Sequence, residues 1–197
     1  MPSAIVLSGG NSSRINADKA FLELTGNKTI IENITKCLKD IFSEIIIVAN
    51  NADDYRFLGY KVVPDLIKGK GPLGGIYTGL KAIKESNAFV LACDMPFVNI
   101  DLIRHMLKFN GFDAVVPRFD GYIEPLHAVY SKNMLPLIES QIEKNELKIS
   151  ETVKKIKNIK YVEKEEIEKF DKGRLCFFNI NDKESLEKAR EMARNKI

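Results

Sequence analysis

Histidine and cysteine, the side chains that build zinc sites, are scarce in this chain. There are two histidines and three cysteines, and neither His105 nor His127 has a second histidine or cysteine at metal-ligand spacing. We therefore expect no zinc site and assign both histidines hydrogen-bonded structural roles. The cysteines are widely spaced and form no C-x-x-C pair, which predicts small core side chains in a reducing cytoplasm for Cys37, Cys93 and Cys176.

Two further absences limit the class of protein. No apolar run approaches the length that crosses a bilayer, and no basic or long apolar leader precedes the first predicted strand. The 30 basic and 27 acidic residues are mixed along the chain, so the net charge is only +3 and no nucleic-acid footprint stands out. We expect a cytoplasmic protein with one domain over residues 1–197 and with neither a membrane nor a nucleic-acid partner.

The chain does contain a short apolar segment that breaks into a glycine and hydroxyl loop. Residues 4–7, A-I-V-L, are typical of a strand buried on both faces of a parallel sheet. Gly9 and Gly10 allow the backbone that follows to approach a ligand closely with its N–H groups, which favours an anion. Arg14 and Lys19 add positive charge beyond the loop. This order of residues predicts a polyphosphate site.

Two familiar phosphate motifs do not fit this loop. Residues 7–19 match neither the P-loop pattern G-x-x-x-x-G-K-[ST] nor the dinucleotide fingerprint G-x-G-x-x-G. The fingerprint does occur at Gly69, Gly71 and Gly74, so a dinucleotide-dependent oxidoreductase is one alternative. That interpretation would leave the first loop without a purpose, and Pro72 inside the motif is better explained as the first residue of a helix.

Polar side chains stand directly after three more predicted strands, which cover residues 44–49, 60–64 and 88–93. Ligands of parallel sheets bind at the carboxyl ends of the strands, where Asn50, Asp65 and Asp94 are expected. Asn50 is a candidate for contacting a nucleobase or ribose, and capping of the next turn is an equally good explanation. Asp94 predicts a Mg²⁺ ligand, because this ion is held by one or two carboxylates while phosphate oxygens and water complete its octahedron.

The alternation of strands and helices predicts an α/β protein with a mostly parallel sheet. Residues 118–130 form a segment of different character around an Asp120-Gly121 turn, which predicts a loop that covers a substrate. Residues 148–172 are dense in Lys and Glu, as in a solvated amphipathic surface region.

The end of the chain predicts a last strand and a last helix. Residues 175–178 are a compact apolar run, and Asn181 with Glu184 predicts a capping box for the final helix. Capping therefore accounts for Asn181 but not for Asn179.

Taken together, these segments resemble the molybdenum cofactor guanylyltransferases, a family of nucleotidyltransferases. The first motif, S-G-G-N-S-S-R followed by D-K, is shared by many nucleotidyltransferases, whereas the combination of C-D-M-P-F, P-L-H-A-V-Y and N-I-N is more specific. The resemblance covers nearly the whole chain and implies a three-layer Rossmann-like nucleotidyltransferase fold. In that family GTP donates GMP to the terminal phosphate of molybdopterin carrying molybdenum, and pyrophosphate is released.

The resemblance also implies ligands and residue roles. Mg²⁺ on Asp94 is the implied cofactor, GTP and molybdopterin are the implied substrates, and transient contacts with molybdenum-cofactor enzymes or insertion proteins are possible partners. Asn179 and Asn181 correspond to positions expected near the pterin. The implied nucleotide-binding residues are Leu7, Ser8, Gly9, Gly10, Lys19, Asn50, Asp65 and Asp94.

The chemistry of such a transfer needs no general base, because the attacking phosphate oxygen is ionised at neutral pH. Catalysis then depends on holding the attacking oxygen in line with the α-phosphorus and on neutralising the charge of the departing pyrophosphate. The groups predicted to do so are the loop amides, Arg14, Lys19 and Mg²⁺ on Asp94.

Some positions depart from the family pattern. Ser12 stands where a third glycine is usual, Ile15-Asn16 where Met-Gly is common, and the turn near Lys28 is one residue longer, so no role is assigned to Lys28. Two other functions stay open besides the oxidoreductase. One is a nucleotidyltransferase that uses CTP, or a sugar phosphate as acceptor, and the other is a non-catalytic nucleotide-binding protein. The presence of both Lys19 and Asp94 favours an enzyme.

Overall fold

Strands and helices alternate along the part of the chain that a computed structural model describes, residues 2–9, 19–24, 26 and 28–195. The strands of this part are β1 (Ser3–Leu7), β2 (Glu44–Val48), β3 (Lys61–Val63), β4 (Asn87–Ala92), β5 (Ala114–Phe119), β6 (Tyr122–Ile123), β7 (His127–Ser131) and β8 (Ile159–Glu163). Its α-helices are α1 (Ile30–Leu38), α2 (Gly71–Ala82), α3 (Ile100–Met106), α4 (Leu135–Glu143), α5 (Ile149–Lys154), α6 (Lys164–Ile167) and α7 (Lys183–Arg194). Short 3₁₀ helices cover Lys19–Phe21, Ala52–Leu58, Lys132–Met134 and Leu175–Phe177.

The described strands form one sheet in the order β3-β2-β1-β4-β7-β5, with β8 beside β5 and β6 in a hairpin on β5. The pairs β1–β2, β1–β4, β2–β3 and β5–β8 are parallel, whereas β7 runs antiparallel to both of its neighbours. The mostly parallel α/β sheet predicted from the sequence is therefore confirmed. The carboxyl ends of β1, β2, β3 and β4 meet at one edge of it.

Helices cover both faces of the sheet, so the fold has three layers. Alternate residues of each central strand point into different apolar clusters, as Ile5 and Val6 of β1 do. One cluster joins the sheet to α1, α3, α6 and α7, and the other joins it to α2, α4 and α5. Residues 4–6 of β1 are completely buried, which explains why that segment has no polar residue. None of the helices in the described part is long and apolar enough to cross a membrane.

Two sequence predictions for the second half of the chain are wrong. Residues 118–130 contain the end of β5, all of β6 and most of β7, so they are mainly sheet and not a loop, although the Asp120-Gly121 turn is present. Residues 175–178 are not a strand, because the Asp171 carboxylate accepts the Cys176 N–H at 2.8 Å and curls the segment into a 3₁₀ helix. The amphipathic residues 148–172 include β8, which pairs with β5 and places Val162 in the core.

The first and last helices show how local sequence sets helix ends. Thr29 and Glu32 form a capping box at the start of α1, with the Thr29 N–H donating to the Glu32 carboxylate at 2.8 Å. The cap of α7 is Asp182, whose carboxylate accepts the Ser185 N–H at 2.8 Å. The predicted box of Asn181 with Glu184 is therefore displaced by one residue, which leaves the Asn181 side chain available for other contacts.

Buried histidine and cysteine side chains complete the core. Cys93 and Cys176 are buried, as predicted, and Cys37 is half-buried; none of the three forms a disulfide in the described part of the chain. His105 hydrogen-bonds Glu166 at 3.3 Å, in line with its predicted structural role. His127 is completely buried between Phe89 and Phe177, but neither ring nitrogen has a hydrogen-bond partner in the described part of the chain. Its predicted hydrogen bond is wrong because the ring is enclosed by aromatic side chains.

Two glycines of α2 allow that helix to lie directly against β1. A Cβ atom built on Gly79 would stand 2.6 Å from Cγ2 and 2.7 Å from Cδ1 of Ile5. One turn earlier, a Cβ on Gly75 would stand 3.0 Å from a methyl carbon of Leu7. Ile5 is fully buried and has no free direction in which to move. The absence of side chains at these positions thus sets the distance between the helix and the sheet.

We expect Gly79→Val to lower the free energy of unfolding by about 2 kcal/mol or more. Overpacking a core costs about 1–3 kcal/mol, and valine recovers only a few tenths in helix propensity over glycine. Urea unfolding measures the change. Gly173→Val is the matched control, because a Cβ there meets no atom within 4 Å and its backbone has no positive φ. Equal stability of the two variants would contradict the close approach of α2 to β1.

Candidate functional site

A cavity of about 240 Å³ lies at the carboxyl ends of the central parallel strands. Its walls come from the ends of β1, β2 and β4 and from the start of α2. The predicted site residues that line it are Leu7, Ser8, Gly9, Lys19, Asp65 and Asp94. Sequence reasoning did not assign Val48, Gly71, Pro72, Gly75, Ala92, Cys93 and Leu126, which line it as well. Gly10 and Arg14 lie outside the described residues.

The loop after β1 begins with a serine whose hydroxyl is already engaged. The Ser8 hydroxyl is 2.8 Å from the Tyr55 hydroxyl in a buried hydrogen bond, and the Ser8 N–H donates to the Val48 carbonyl at 2.9 Å. Ser8 is only 1% exposed, so its side chain anchors the loop to the core. Among the described residues, a Cβ on Gly9 would meet no atom within 4 Å.

Lys19 and Asp94 form an ion pair inside the cavity. The Lys19 ammonium is 3.4 Å from Oδ2 of Asp94, and the two side chains are 17% and 25% exposed. Burial raises the pKa of the Asp94 carboxyl above its ordinary value, and the charge and hydrogen bond of Lys19 only partly oppose that rise. The cost of burying the ionised Asp94 carboxylate therefore exceeds the stabilisation that Lys19 provides.

The segment before α7 closes over the same ion pair. The Ile180 N–H donates to the Asp94 carbonyl at 2.9 Å, and the Lys19 ammonium is 3.4 Å from Oδ1 of Asn181. The structure thus brings Asn181 to Lys19 across the whole length of the chain. The Asn179 amide instead donates to the Phe177 carbonyl at 3.1 Å within its own turn.

The tips of β2 and β3 are joined by an amide and a carboxylate. The Asn50 amide nitrogen is 3.2 Å from Oδ2 of Asp65, and the Asp65 N–H donates to the Asn50 amide oxygen at 3.3 Å. Asp65 lines the cavity, whereas Asn50 is exposed and is not part of its wall. Asn50 therefore orients Asp65 and does not cap the turn that follows it.

Glu124 is a carboxyl group near the site that the sequence did not single out. It lies between β6 and β7, two residues before the cavity-lining Leu126, whose N–H is 3.4 Å from Oε1 of Glu124. Burial raises the pKa of Glu124 to about 7, and the nearby charge of Asp94 adds to the rise while the Leu126 N–H opposes it. In the sequence, the feature that could have identified Glu124 as a site residue was its position immediately before Pro125 and a buried strand.

The protonation of Glu124 makes stability depend on pH. Its pKa rises from 4.5 to about 7 on folding, so the folded chain keeps a proton that the unfolded chain releases between these values. Its stabilising contribution is complete below pH 4.5 and is lost as the pH rises to about 7. Glu124→Gln keeps a neutral group at all pH values. We expect this variant to reduce the difference in unfolding free energy between acidic and alkaline pH by about 1–3 kcal/mol.

Urea unfolding at about pH 5 and pH 8 measures this difference. The exposed Glu143 provides the control, because Glu143→Gln should retain the wild-type difference. An unchanged difference in Glu124→Gln would mean that this carboxyl titrates alike in the folded and unfolded chains.

The sequence and the fold resemble those of known proteins. Residues 4–157 match the family described as the MobA-like NTP transferase domain. The chain is 37% identical over 192 residues to a protein of Pelotomaculum thermopropionicum named probable molybdenum cofactor guanylyltransferase, and the match covers 97% of this chain and 93% of that protein. It is 36% identical over 191 residues to the molybdenum cofactor guanylyltransferase of Syntrophotalea carbinolica, covering 95% and 90% of the two chains.

A solved structure shares the same fold over nearly all of its length. The crystal structure of molybdopterin-guanine dinucleotide biosynthesis protein A from Archaeoglobus fulgidus superposes with a TM-score of 0.85 at 30% identity, covering 98% of this chain and 99% of that one. The family match, the similar sequences and the shared fold all point to the same family. The chain belongs to the MobA-like NTP transferase domain family and is a nucleotidyltransferase.

Proposed function

We propose that this protein transfers GMP from GTP to the terminal phosphate of molybdopterin carrying molybdenum, which forms the guanine dinucleotide form of the cofactor. A relative that is 37% identical over almost the whole chain is named probable molybdenum cofactor guanylyltransferase. The observation that carries the proposal is the convergence of Lys19, Asp65 and Asp94 on one cavity at the carboxyl ends of parallel strands. These residues come from distant parts of the sequence, and only the fold brings them together.

The bond changes of this reaction can be stated from the substrates. A phosphate oxygen of the acceptor attacks the α-phosphorus of GTP, a new P–O bond forms, and the bond from that phosphorus to the oxygen bridging to the β-phosphate breaks. Pyrophosphate carries away the electron pair. No side chain has to remove a proton, because the attacking oxygen is ionised at neutral pH, and positioning and charge stabilisation remain for the protein.

The described residues support a division of labour within the cavity. Lys19 would stabilise negative charge on the phosphates, and Asp65, oriented by Asn50, would contact the nucleoside. Arg14 would add positive charge, as the sequence predicts. The wall of the nucleotide pocket would be formed by Leu7, Ser8, Gly9 and Gly10. The acceptor would approach from the side of Asn181, with Asn179 nearby.

We propose Mg²⁺ as the cofactor and Asp94 as its ligand. Within the described residues no three His, Cys, Asp or Glu side chains are grouped as a metal site. A single carboxylate suits Mg²⁺, which takes its other ligands from phosphates and water. Asp94 fits because it lines the cavity and because burial raises its pKa in spite of Lys19. When bound, the ion would neutralise the charge of the departing pyrophosphate.

The setting of the reaction is also a proposal. The three cysteines form no disulfide among the described residues, which suits a reducing cytoplasm. Transfer of the finished cofactor to molybdenum-cofactor enzymes or insertion proteins would need transient contacts, which the sequence analysis also expects.

Pyrophosphate release tests the proposed function directly. With molybdopterin carrying molybdenum as acceptor and Mg²⁺ present, we expect GTP to support release far better than ATP, CTP or UTP. Preference for CTP would assign a cytidylyltransferase, and release only with a sugar phosphate would assign another acceptor. Binding of GTP without any release would indicate a nucleotide-binding protein without this activity.

Lys19→Ala tests the catalytic role of the ammonium. We expect kcat to fall about a hundredfold or more, the usual scale for loss of one electrostatic stabiliser of the transition state. Lys188→Ala removes a lysine that pairs with Glu184 on α7 and does not line the cavity, so it should leave kcat unchanged. Wild-type kcat in Lys19→Ala would remove this residue from the mechanism.

A further inference from the structure

Lys19 stands where the proposed mechanism would place a metal ion. Its ammonium is 3.4 Å from a carboxylate oxygen of Asp94 and 3.4 Å from the amide oxygen of Asn181. Both neighbours are oxygen donors of the kind that hard cations prefer. A lysine ammonium is itself a compact cation with three donors, so it can occupy such a position between two oxygens.

The surroundings hold the ammonium in this position. Lys19 begins a short 3₁₀ helix whose next residue, Ala20, is fully buried, so its backbone is fixed against the core. The Ile180 N–H donates to the Asp94 carbonyl at 2.9 Å, which fixes the segment of Asn181 relative to Asp94. The side chains of Lys19, Asp94 and Asn181 therefore meet where three segments of the chain are held in place by backbone contacts.

We propose that Lys19 is an internal substitute for the metal ion, which neutralises Asp94 and holds Asn181 until the nucleotide binds. The inference rests on the proposed function of the cavity as a nucleotide and metal site. When a triphosphate enters, the ammonium moves from Asp94 to the phosphates, and Asp94 and Asn181 become free together. Asp94 can then accept the cation that accompanies the nucleotide, and Asn181 can contact the acceptor.

This exchange has a consequence for the order of binding. A free divalent ion must displace Lys19 from Asp94, whereas an ion that arrives with a triphosphate finds Lys19 attracted to the phosphates. The nucleotide-free protein should therefore bind a free divalent ion weakly. Because Asn181 is engaged by the same ammonium, donor binding should also precede productive acceptor binding.

A titration of the nucleotide-free protein with Mn²⁺ alone tests whether the Lys19 ammonium occupies the place of the metal ion. Electron paramagnetic resonance of the unbound ion reports the dissociation constant. We expect Lys19→Met to bind Mn²⁺ about tenfold more tightly than the wild type, since an opposite charge in contact with a carboxylate shifts its affinity for a cation by at least that factor. Lys19→Gln should give the same gain and serves if the methionine variant does not fold.

Two variants separate competition at Asp94 from a general effect of charge. Lys70→Met removes a lysine next to the cavity-lining Gly71, but Lys70 donates to Asn145 at 3.1 Å and has no contact with Asp94. It should leave the affinity for Mn²⁺ within a factor of about two of the wild type, because a more distant exposed charge is screened. Adding Asp94→Asn to Lys19→Met should abolish the gain.

Equal affinity of Lys19→Met and the wild type would overturn the inference. A gain of the same size in Lys70→Met, or one that survives Asp94→Asn, would do so too. None of these titrations contains nucleotide or acceptor, so they remain informative if GTP fails to support pyrophosphate release. Conversely, release with GTP together with an unchanged affinity for Mn²⁺ would leave the proposed function standing.

Discussion

Backbone hydrogen bonds between the parallel strands β2, β1 and β4 bring widely separated parts of the chain to one edge of the sheet. Leu7 lies opposite both Val48 and Ala92, and the ladder continues past the strand ends through the Ser8 N–H and the Cys93 N–H. Because three strands end in register, the loops that follow them face one another. The geometry of the strand-end residues depends on this register, since a slip of one residue would move a strand's side chains from one apolar cluster to the opposite face of the sheet.

The same edge concentrates charged groups in a partly dry environment. Asp94 and Glu124 interact electrostatically there, and Lys19 forms an ion pair with Asp94. Because the pKa of Glu124 is raised to about 7, this carboxyl is partly protonated near neutral pH. It therefore repels Asp94 and an incoming triphosphate less than a fully ionised carboxylate would. Lys19 limits the cost of burying Asp94, and this pairing allows a carboxylate to be kept in a half-buried cavity.

The sequence predicted the parts of this site that follow from local patterns. Buried β-branched runs identified the parallel strands, and polar residues after them identified Asp65 and Asp94, because ligand sites of such sheets lie at the strand ends. Asn181 was found by resemblance, but its approach to Lys19 is a contact over 162 positions that no local pattern encodes. Glu124 escaped notice because its burial comes from the antiparallel insertion of β7 beside β4.

The errors have a common physical origin. Residues 118–130 join the sheet through β6 and β7, although the charged and aromatic residues around the Asp120-Gly121 turn predicted a loop. The apolar run near Cys176 packs into the core as a tight turn, because the Asp171 carboxylate offers its backbone a partner that a strand would not use. His127 shows the reverse case, in which aromatic packing outweighs the loss of hydrogen bonds. In all three cases specific contacts, and not intrinsic propensity, determine the observed structure.

The close approach of α2 to β1 limits how the substrate range of this cavity could be altered. Any side chain placed on Gly75 would project toward Leu7 and come within 3.9 Å of Oδ1 of Asp65, so this wall cannot be reshaped without displacing a proposed nucleoside contact. Leu126 is only half-buried on the strand side of the cavity and is bound by its backbone to Ala92. It also packs against both apolar clusters, so substitutions of similar size at this position offer a way to reshape the cavity wall without entering the close contact of α2 with β1.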